Sequence, residues 1–149
     1  MYYIQLIPLY LGENMNEERG KLTRLWLTMI KVSDMDQALK FYNETLGLQI
    51  ALDARGFNHA EVGPAEPLAK IGLYATGKKS KRKKRTGIVF DTDDIYKLYE
   101  NLTKKGVKFT MKPTKMEWGG IVADFLDLDN NILEVVQDEN HYKKTIGTN

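Results

Sequence analysis

The sequence predicts an α+β domain in which a βαβββ unit occurs twice in tandem. Two observations lead to this prediction. An amphipathic helix with a cap, an apolar stripe and a glycine stop recurs after about 60 residues, and each helix lies between one β-rich run and three more. The chain of 149 residues, 42% hydrophobic and 28% charged, suits one soluble globular domain. We therefore expect a functional site where the two copies face each other.

The first copy covers residues 23–76. A β-rich run, Leu25–Val32, ends at Ser33, and Asp34 with Gln37 makes an N-terminal capping box for a helix over Met35–Leu46. The apolar stripe and C-capping glycine are Met35, Ala38, Leu39, Tyr42, Leu46 and Gly47. Further strands are predicted at 48–52, 58–62 and 70–76.

The second copy covers residues 87–137. Its first strand is Gly87–Thr92, its helix is capped by Asp93 or Asp94, and Gly106 ends the helix. The apolar stripe is Ile95, Leu98, Tyr99 and Leu102. Strands are predicted at 107–111, 121–126 and 132–137. Composition makes Asp127–Asn131 a turn.

The two flanks have no counterpart in the repeat. Residues 1–22 are predicted to be an N-terminal arm or an extra strand, and translation from Met15 is an alternative. This segment has no basic region and is too short to span a bilayer, so neither a targeting signal nor a membrane partner is predicted. Residues 138–149 form a polar C-terminal tail.

A basic linker, 77–86, joins the copies. The run Lys78–Arg85 holds seven of the 22 basic residues, which leaves 15 basic against 20 acidic residues elsewhere. Such a run is typical of a solvated, mobile linker. The alternatives are a phosphate-contacting loop or a localisation signal. The run lacks aromatic and base-reading groups, so we do not expect nucleic acid to be a partner.

The absence of cysteine excludes disulfides, thiolate metal sites and a cysteine nucleophile. It is compatible with an intracellular protein, and we predict a cytoplasmic one. Metal chemistry would depend on Asp, Glu and only two histidines, His59 and His141.

Two segments resemble a known superfamily. Val32–Tyr42 followed by Leu46 and Gly47 resembles the opening signature of the glyoxalase / bleomycin resistance protein / extradiol dioxygenase superfamily, the vicinal oxygen chelate fold. Trp118–Gly120 and Asp127–Glu134 resemble its closing signature. The resemblance covers about residues 23 to 137 and implies a curved mixed sheet around a central cleft. It also implies a small-molecule ligand and, commonly, a homodimer.

The resemblance also locates the positions where metal-dependent members place their ligands. These are Leu27, Gly72, Gly87 and Glu134, and only Glu134 can bind a metal. His59 and Glu61 lie on a strand outside that set, and only with Glu134 would they form an alternative site. We therefore expect no metal cofactor, and a metal-dependent lyase or dioxygenase is disfavoured.

Strand alternation predicts which side chains face the cleft. The candidate ligand-binding residues are Leu27, Met29, Tyr74, Val89, Asp91, Trp118, Ile132 and Glu134. Gly72 and Gly87 are expected to leave open space, and Trp118 to close over the cleft. The alternative is that these side chains simply pack a filled cleft.

Glu134 is the candidate catalytic residue, because apolar surroundings disfavour a charged carboxylate and suit a general base or an anchor for a cationic ligand. Its structural alternative is pairing with Lys31, Lys70 or a backbone N–H. The leading hypothesis is metal-free binding of a small organic molecule. The alternatives are an enzyme of the lyase, isomerase or dioxygenase type that uses Glu134 as base or metal ligand, and an interaction module that uses the basic run.

Overall fold

A computed structural model describes residues 26–63 and 69–138, together with Gly20 and Leu22. Apart from Gly20 and Leu22, the predicted N-terminal arm lies outside the described residues, as do His141 and the tail after Asp138. The strands are β1 Thr28–Val32, β2 Gln49–Ala54, β3 His59–Gly63, β4 Ile71–Ala75, β5 Lys84–Asp91, β6 Phe109–Lys115, β7 Ile121–Leu126 and β8 Asn131–Gln137. The α-helices are α1 Met35–Leu39, continued by a π-helical segment Lys40–Thr45, and α2 Ile95–Lys104.

The two copies have the same topology, as the repeat predicts. The first forms a sheet in the order β1-β4-β3-β2 and the second a sheet in the order β5-β8-β7-β6. In each sheet the first strand pairs in parallel with the last, and the remaining pairs are antiparallel. The chain is therefore α+β, with tandem βαβββ modules. Among the described residues, no helix is both long and apolar enough to cross a bilayer.

The first helix departs from the predicted regular α-helix over Met35–Leu46. It starts as predicted, with the Asp34 carboxylate accepting the N–H of Gln37 at 2.9 Å. After Leu39 it widens into a π-helical turn. This segment carries two consecutive aromatic residues, Phe41 and Tyr42, and both are buried.

The basic linker is shorter than predicted, because β5 begins at Lys84 rather than at Gly87. The residues Lys84–Thr86 therefore belong to the second sheet. Between Arg85 and Val89 the pairing register with β8 shifts. Over this stretch β5 advances by four residues while β8 advances by two. Gly87 lies inside this bulge with φ of 74°, a conformation that glycine adopts without strain.

One hydrophobic core joins the modules. The helices cover the face of each sheet that carries residues such as Val32 and Leu73 in the first module and Leu133 and Val135 in the second. All four of these side chains are almost completely buried. The alternate residues of each strand point to the opposite side, which we call the open face.

A buried carboxylate, Asp127, connects the modules. Its Oδ2 atom accepts the Tyr42 hydroxyl at 2.8 Å and the side-chain amide of Asn131 at 2.7 Å. Its Oδ1 atom accepts the backbone N–H groups of Asp129 and Asn131. The Asn131 amide also donates to the Lys31 carbonyl in β1 at 3.0 Å. The predicted turn at 127–131 is therefore also the bridge to the first module.

Replacing Tyr42 with Phe should destabilise the fold by about 1–3 kcal/mol at neutral pH, because a buried, charged acceptor loses one donor. Burial, and secondarily Asp127, holds the pKa of Tyr42 well above 10.0. The folded state therefore keeps the proton at pH values where the unfolded chain releases it, and wild-type stability falls as pH rises past about 10.

The Phe variant lacks this ionisation, so its deficit relative to wild type should narrow above about pH 10. Urea unfolding of both proteins at neutral and alkaline pH measures the difference. A deficit that stays constant across this range would contradict the proposed pKa shift.

Candidate functional site

The open faces of the two sheets carry corresponding rows of residues. In the first sheet the row across neighbouring strands is Met29, Gly72, Glu61 and Leu52. In the second sheet it is Val89, Glu134, Asp124 and Met111. Each row therefore has an apolar residue on the first strand and a carboxylate on the third. The rows differ at the last strand, where one has a glycine and the other has Glu134.

In the second module, two carboxylates share one arginine. The Arg85 guanidinium donates to Asp124 Oδ2 at 2.6 Å and lies 3.4 Å from Glu134 Oε2, so its side chain crosses β8 to reach β7. The Asp124 side chain is only 4% exposed, whereas that of Glu134 is 30% exposed. The partner of Glu134 is thus Arg85, and not Lys31, Lys70 or a backbone N–H.

Asp124 is incompletely satisfied. Its Oδ1 atom is buried and has no hydrogen-bond partner among the described residues. A buried oxygen without a donor costs about 1–3 kcal/mol. The atom therefore favours a water molecule or a ligand donor beside Glu134.

The first module has the equivalent carboxylate, Glu61, which is also buried. It lies 3.4 Å from both Lys70 and His59. The predicted pairing of His59 with Glu61 on one face is therefore present. Glu134 does not join them, because it lies in the other sheet with Arg85.

The residues present do not fit a metal ion. Leu27, Gly72 and Gly87 have no ligating side chain, and the described residues contain no group of three His, Asp or Glu side chains that could hold one. The prediction that Gly72 leaves open space is wrong, because a Cβ there would collide with the Met29 sulfur and touch Leu27. Leu27 and Met29 thus fill the position that corresponds to Glu134.

An apolar cavity of about 530 Å³ lies between the modules. We call it the seam cavity, because it is bordered by the free edges of both sheets, β1 and β5. Its walls include Thr28, Ile71, Gly87, Ile88, Val89 and Asp91. Gly87 leaves space here, as predicted, since a Cβ at that position would have no neighbouring atom within 4 Å.

The remaining predicted ligand residues are placed as follows. Tyr74 is on the open face of the first sheet and is 44% exposed. Ile132 is on the open face of the second sheet, paired with Arg85 and Leu126. Trp118 lies in the turn between β6 and β7 with its ring over Gly120. The structure thus gathers Val89 and Asp91 at the seam cavity and Glu134 beside Val89, while Trp118 packs within its own turn.

Sequence reasoning missed Asp124 and Arg85. The signal for Asp124 was available, because it is the single charged residue in the otherwise apolar strand Ile121–Leu126. Arg85 was hidden at the end of the basic run. The register shift before Val89 pairs Arg85 with Ile132, two residues before Glu134 on β8.

Residues 24–135 match the Glyoxalase/Bleomycin resistance protein/Dioxygenase superfamily. The chain belongs to this superfamily. A relative of this chain, the uncharacterized protein YetH of Bacillus subtilis, is 33% identical over 107 residues, which cover 69% of this chain and 88% of YetH.

Solved structures of the same superfamily share the fold. A member from Sphaerobacter thermophilus is 31% identical, with a TM-score of 0.67 over 78% of this chain and 100% of that one. TnmS3, an antibiotic binding protein from Streptomyces sp. CB03234, is 26% identical, with a TM-score of 0.65 over 79% of this chain and 98% of that one.

Replacing Arg85 with Gln should destabilise this superfamily member by about 1–3 kcal/mol, because buried Asp124 loses its charged partner. Arg82, an exposed residue of the same basic run, is the matched control, since its side chain forms no ion pair with the described carboxylates. Urea denaturation of both Arg→Gln variants tests this. Equal stabilities of the two variants would show that the Arg85–Asp124 pair contributes nothing.

Proposed function

We propose that the protein binds a small organic molecule in the seam cavity, without a metal ion. The observation behind this proposal is the cavity itself, which is mainly apolar and has a volume of about 530 Å³. Ligand pockets typically measure roughly 300–1,000 Å³ and combine apolar walls with a few polar groups. Here Lys70 and Asp91 supply the polar groups, and Ile71 and Val89 supply apolar walls.

Similarity to TnmS3 supports a binding function, because that protein is an antibiotic binding protein with the same fold. Fold alone does not determine function, so the local chemistry has to agree. The chemistry of the seam cavity agrees with a binding function, since binding requires a complementary shape and apolar surface but no reactive group.

The homodimer and the cytoplasmic location inferred from the sequence stay predictions.

The arrangement around Glu134 favours binding over base catalysis. A general base needs a carboxylate oxygen that is free to reach a substrate proton. Arg85 lies 3.4 Å from Glu134 Oε2 and extends over this part of the open face. Oε2 is therefore engaged by the guanidinium, and an enzymatic role for Glu134 would have to use its other carboxylate oxygen.

Replacing Val89 with Asp should weaken ligand binding, because it places a charge on the apolar wall and desolvating that charge is costly. The matched control is Phe57→Asp, which makes the same kind of change at an exposed position in the turn before β3. We expect affinity to fall at least about tenfold, or ~1.4 kcal/mol, in the Val89 variant alone.

The measurement is a thermal-shift screen of aromatic antibiotics and small keto-acids on wild type, followed by calorimetric titration of hits on all three proteins. A screen in which no compound raises the melting temperature would count against the proposal. So would a hit that binds the Val89 variant as tightly as the wild type.

Protein purified without chelator should contain far less than one equivalent of zinc, iron, manganese or nickel, because three of the four superfamily ligand positions lack ligating atoms. Elemental analysis of wild type and Glu134→Ala should give the same low content. Near-stoichiometric metal in the wild type that is lost in the variant would overturn the metal-free proposal.

A further inference from the structure

A second cavity lies between the modules, and basic side chains surround it. Its volume is about 470 Å³. Residues from β1, the linker and β5 line it. The basic residues among them are Lys31, Lys78, Lys79, Lys84 and Arg85. Among the described residues of the lining, Asp129 is the one carboxylate, so these residues give the cavity a strong excess of positive charge. We call it the basic cavity.

The linker is held against the second module and does not hang free. Thr76 donates its hydroxyl to the Lys78 carbonyl at 3.1 Å. The side-chain amide of Asn130 donates to the Ser80 carbonyl at 2.7 Å, and the Lys84 N–H donates to the Asn130 carbonyl at 3.0 Å. These bonds position the basic residues before any ligand arrives, which reduces the entropy cost of binding.

Most of the positive charge in this cavity is unneutralised. Arg85 is paired with Asp124 and Glu134. Within the part of the chain that the structure describes, Lys31, Lys78, Lys79 and Lys84 form no ion pair. Four unpaired ammonium groups around one space repel each other, and a multivalent anion relieves that repulsion.

The lining also contains a buried oxygen atom that has no hydrogen-bond donor among the described residues. Asp129 is 4% exposed, and its Oδ1 atom has no partner among the described residues. A ligand hydroxyl or amide would satisfy this oxygen. Ser80 and Thr86 also line this space, but their hydroxyls already donate to the carbonyls of Arg82 and Ile132, so the lysines are the groups that meet the phosphate oxygens.

We propose that the basic cavity binds a small organic phosphate that carries at least two anionic groups and a hydroxyl donor. The phosphates contact the lysines, and the hydroxyl contacts Asp129. The site is separate from the seam cavity, so it does not depend on the function proposed above.

Only some residues of the basic run line the basic cavity. Binding in the cavity can therefore be distinguished from general attraction of a polyanion to the whole run. Lys81, Arg82 and Lys83 belong to the same run but do not border the cavity. The described residues that line the cavity include no aromatic side chain, which base stacking in a single-stranded nucleic acid site would require.

The test compares two double variants with identical net charge. One replaces two cavity residues, Lys31→Gln with Lys84→Gln. The other replaces two residues of the run outside the cavity, Lys81→Gln with Lys83→Gln. All four lysines are exposed, so both variants should fold, which circular dichroism checks. The probes are inorganic pyrophosphate and fructose 1,6-bisphosphate, titrated by calorimetry at low and at about physiological salt.

We expect wild type to bind both probes, with weaker binding at higher salt. The cavity variant should lose affinity about tenfold, because each exposed charge pair contributes up to about 1 kcal/mol, and the control should change much less. No measurable binding to wild type would overturn the proposal. Equal losses in the two variants would also overturn it, since they would show non-specific attraction of the kind that nucleic acids experience.

Discussion

The arrangement of the two modules depends on one buried carboxylate, Asp127. It accepts four hydrogen bonds, from Tyr42, from two backbone N–H groups of its own turn, and from the amide of Asn131. A buried charge costs free energy unless hydrogen-bond donors satisfy it, so losing any one of these donors destabilises the fold. Since Tyr42 comes from the first module and Asn131 also holds the Lys31 carbonyl, the carboxylate keeps β1 beside the second sheet. Both cavities lie between the same two modules, with residues of β1 and β5 in their linings.

The positions of the buried carboxylates in the candidate site are best explained by the duplication of the module. The paired rows put Glu61 and Asp124 at equivalent positions, each buried and each matched with a basic residue that comes from a different part of its module. The modules differ on the neighbouring strands, β4 and β8. Gly72 on β4 leaves room for Met29, whereas the residue equivalent to Gly72 on β8 is Glu134. One open face is therefore apolar at this position and the other is polar.

Contacts between residues close together in the sequence were predictable, and contacts between residues far apart in the sequence were not. The caps at Asp34 and Asp94 each accept a backbone N–H three residues on, because a helix start depends on its own nearest residues. The π-helical turn was missed, since the cap at Asp34 and the apolar stripe look the same for a regular α-helix. Arg85 was missed because its contact with Asp124 spans 39 residues.

The strands β1 and β5 are both sheet edges, and no hydrogen-bond ladder joins them. Adjacent edges normally pair, so this gap separates what would otherwise be one continuous sheet. At the gap, side chains such as Thr28 and Val89 border space and are not fixed by the core. Substitutions here change the shape and charge of the cavities without disturbing the ladders or the Asp127 network. A single scaffold of this kind can exchange one ligand for another through a few edge residues while its folding determinants stay constant.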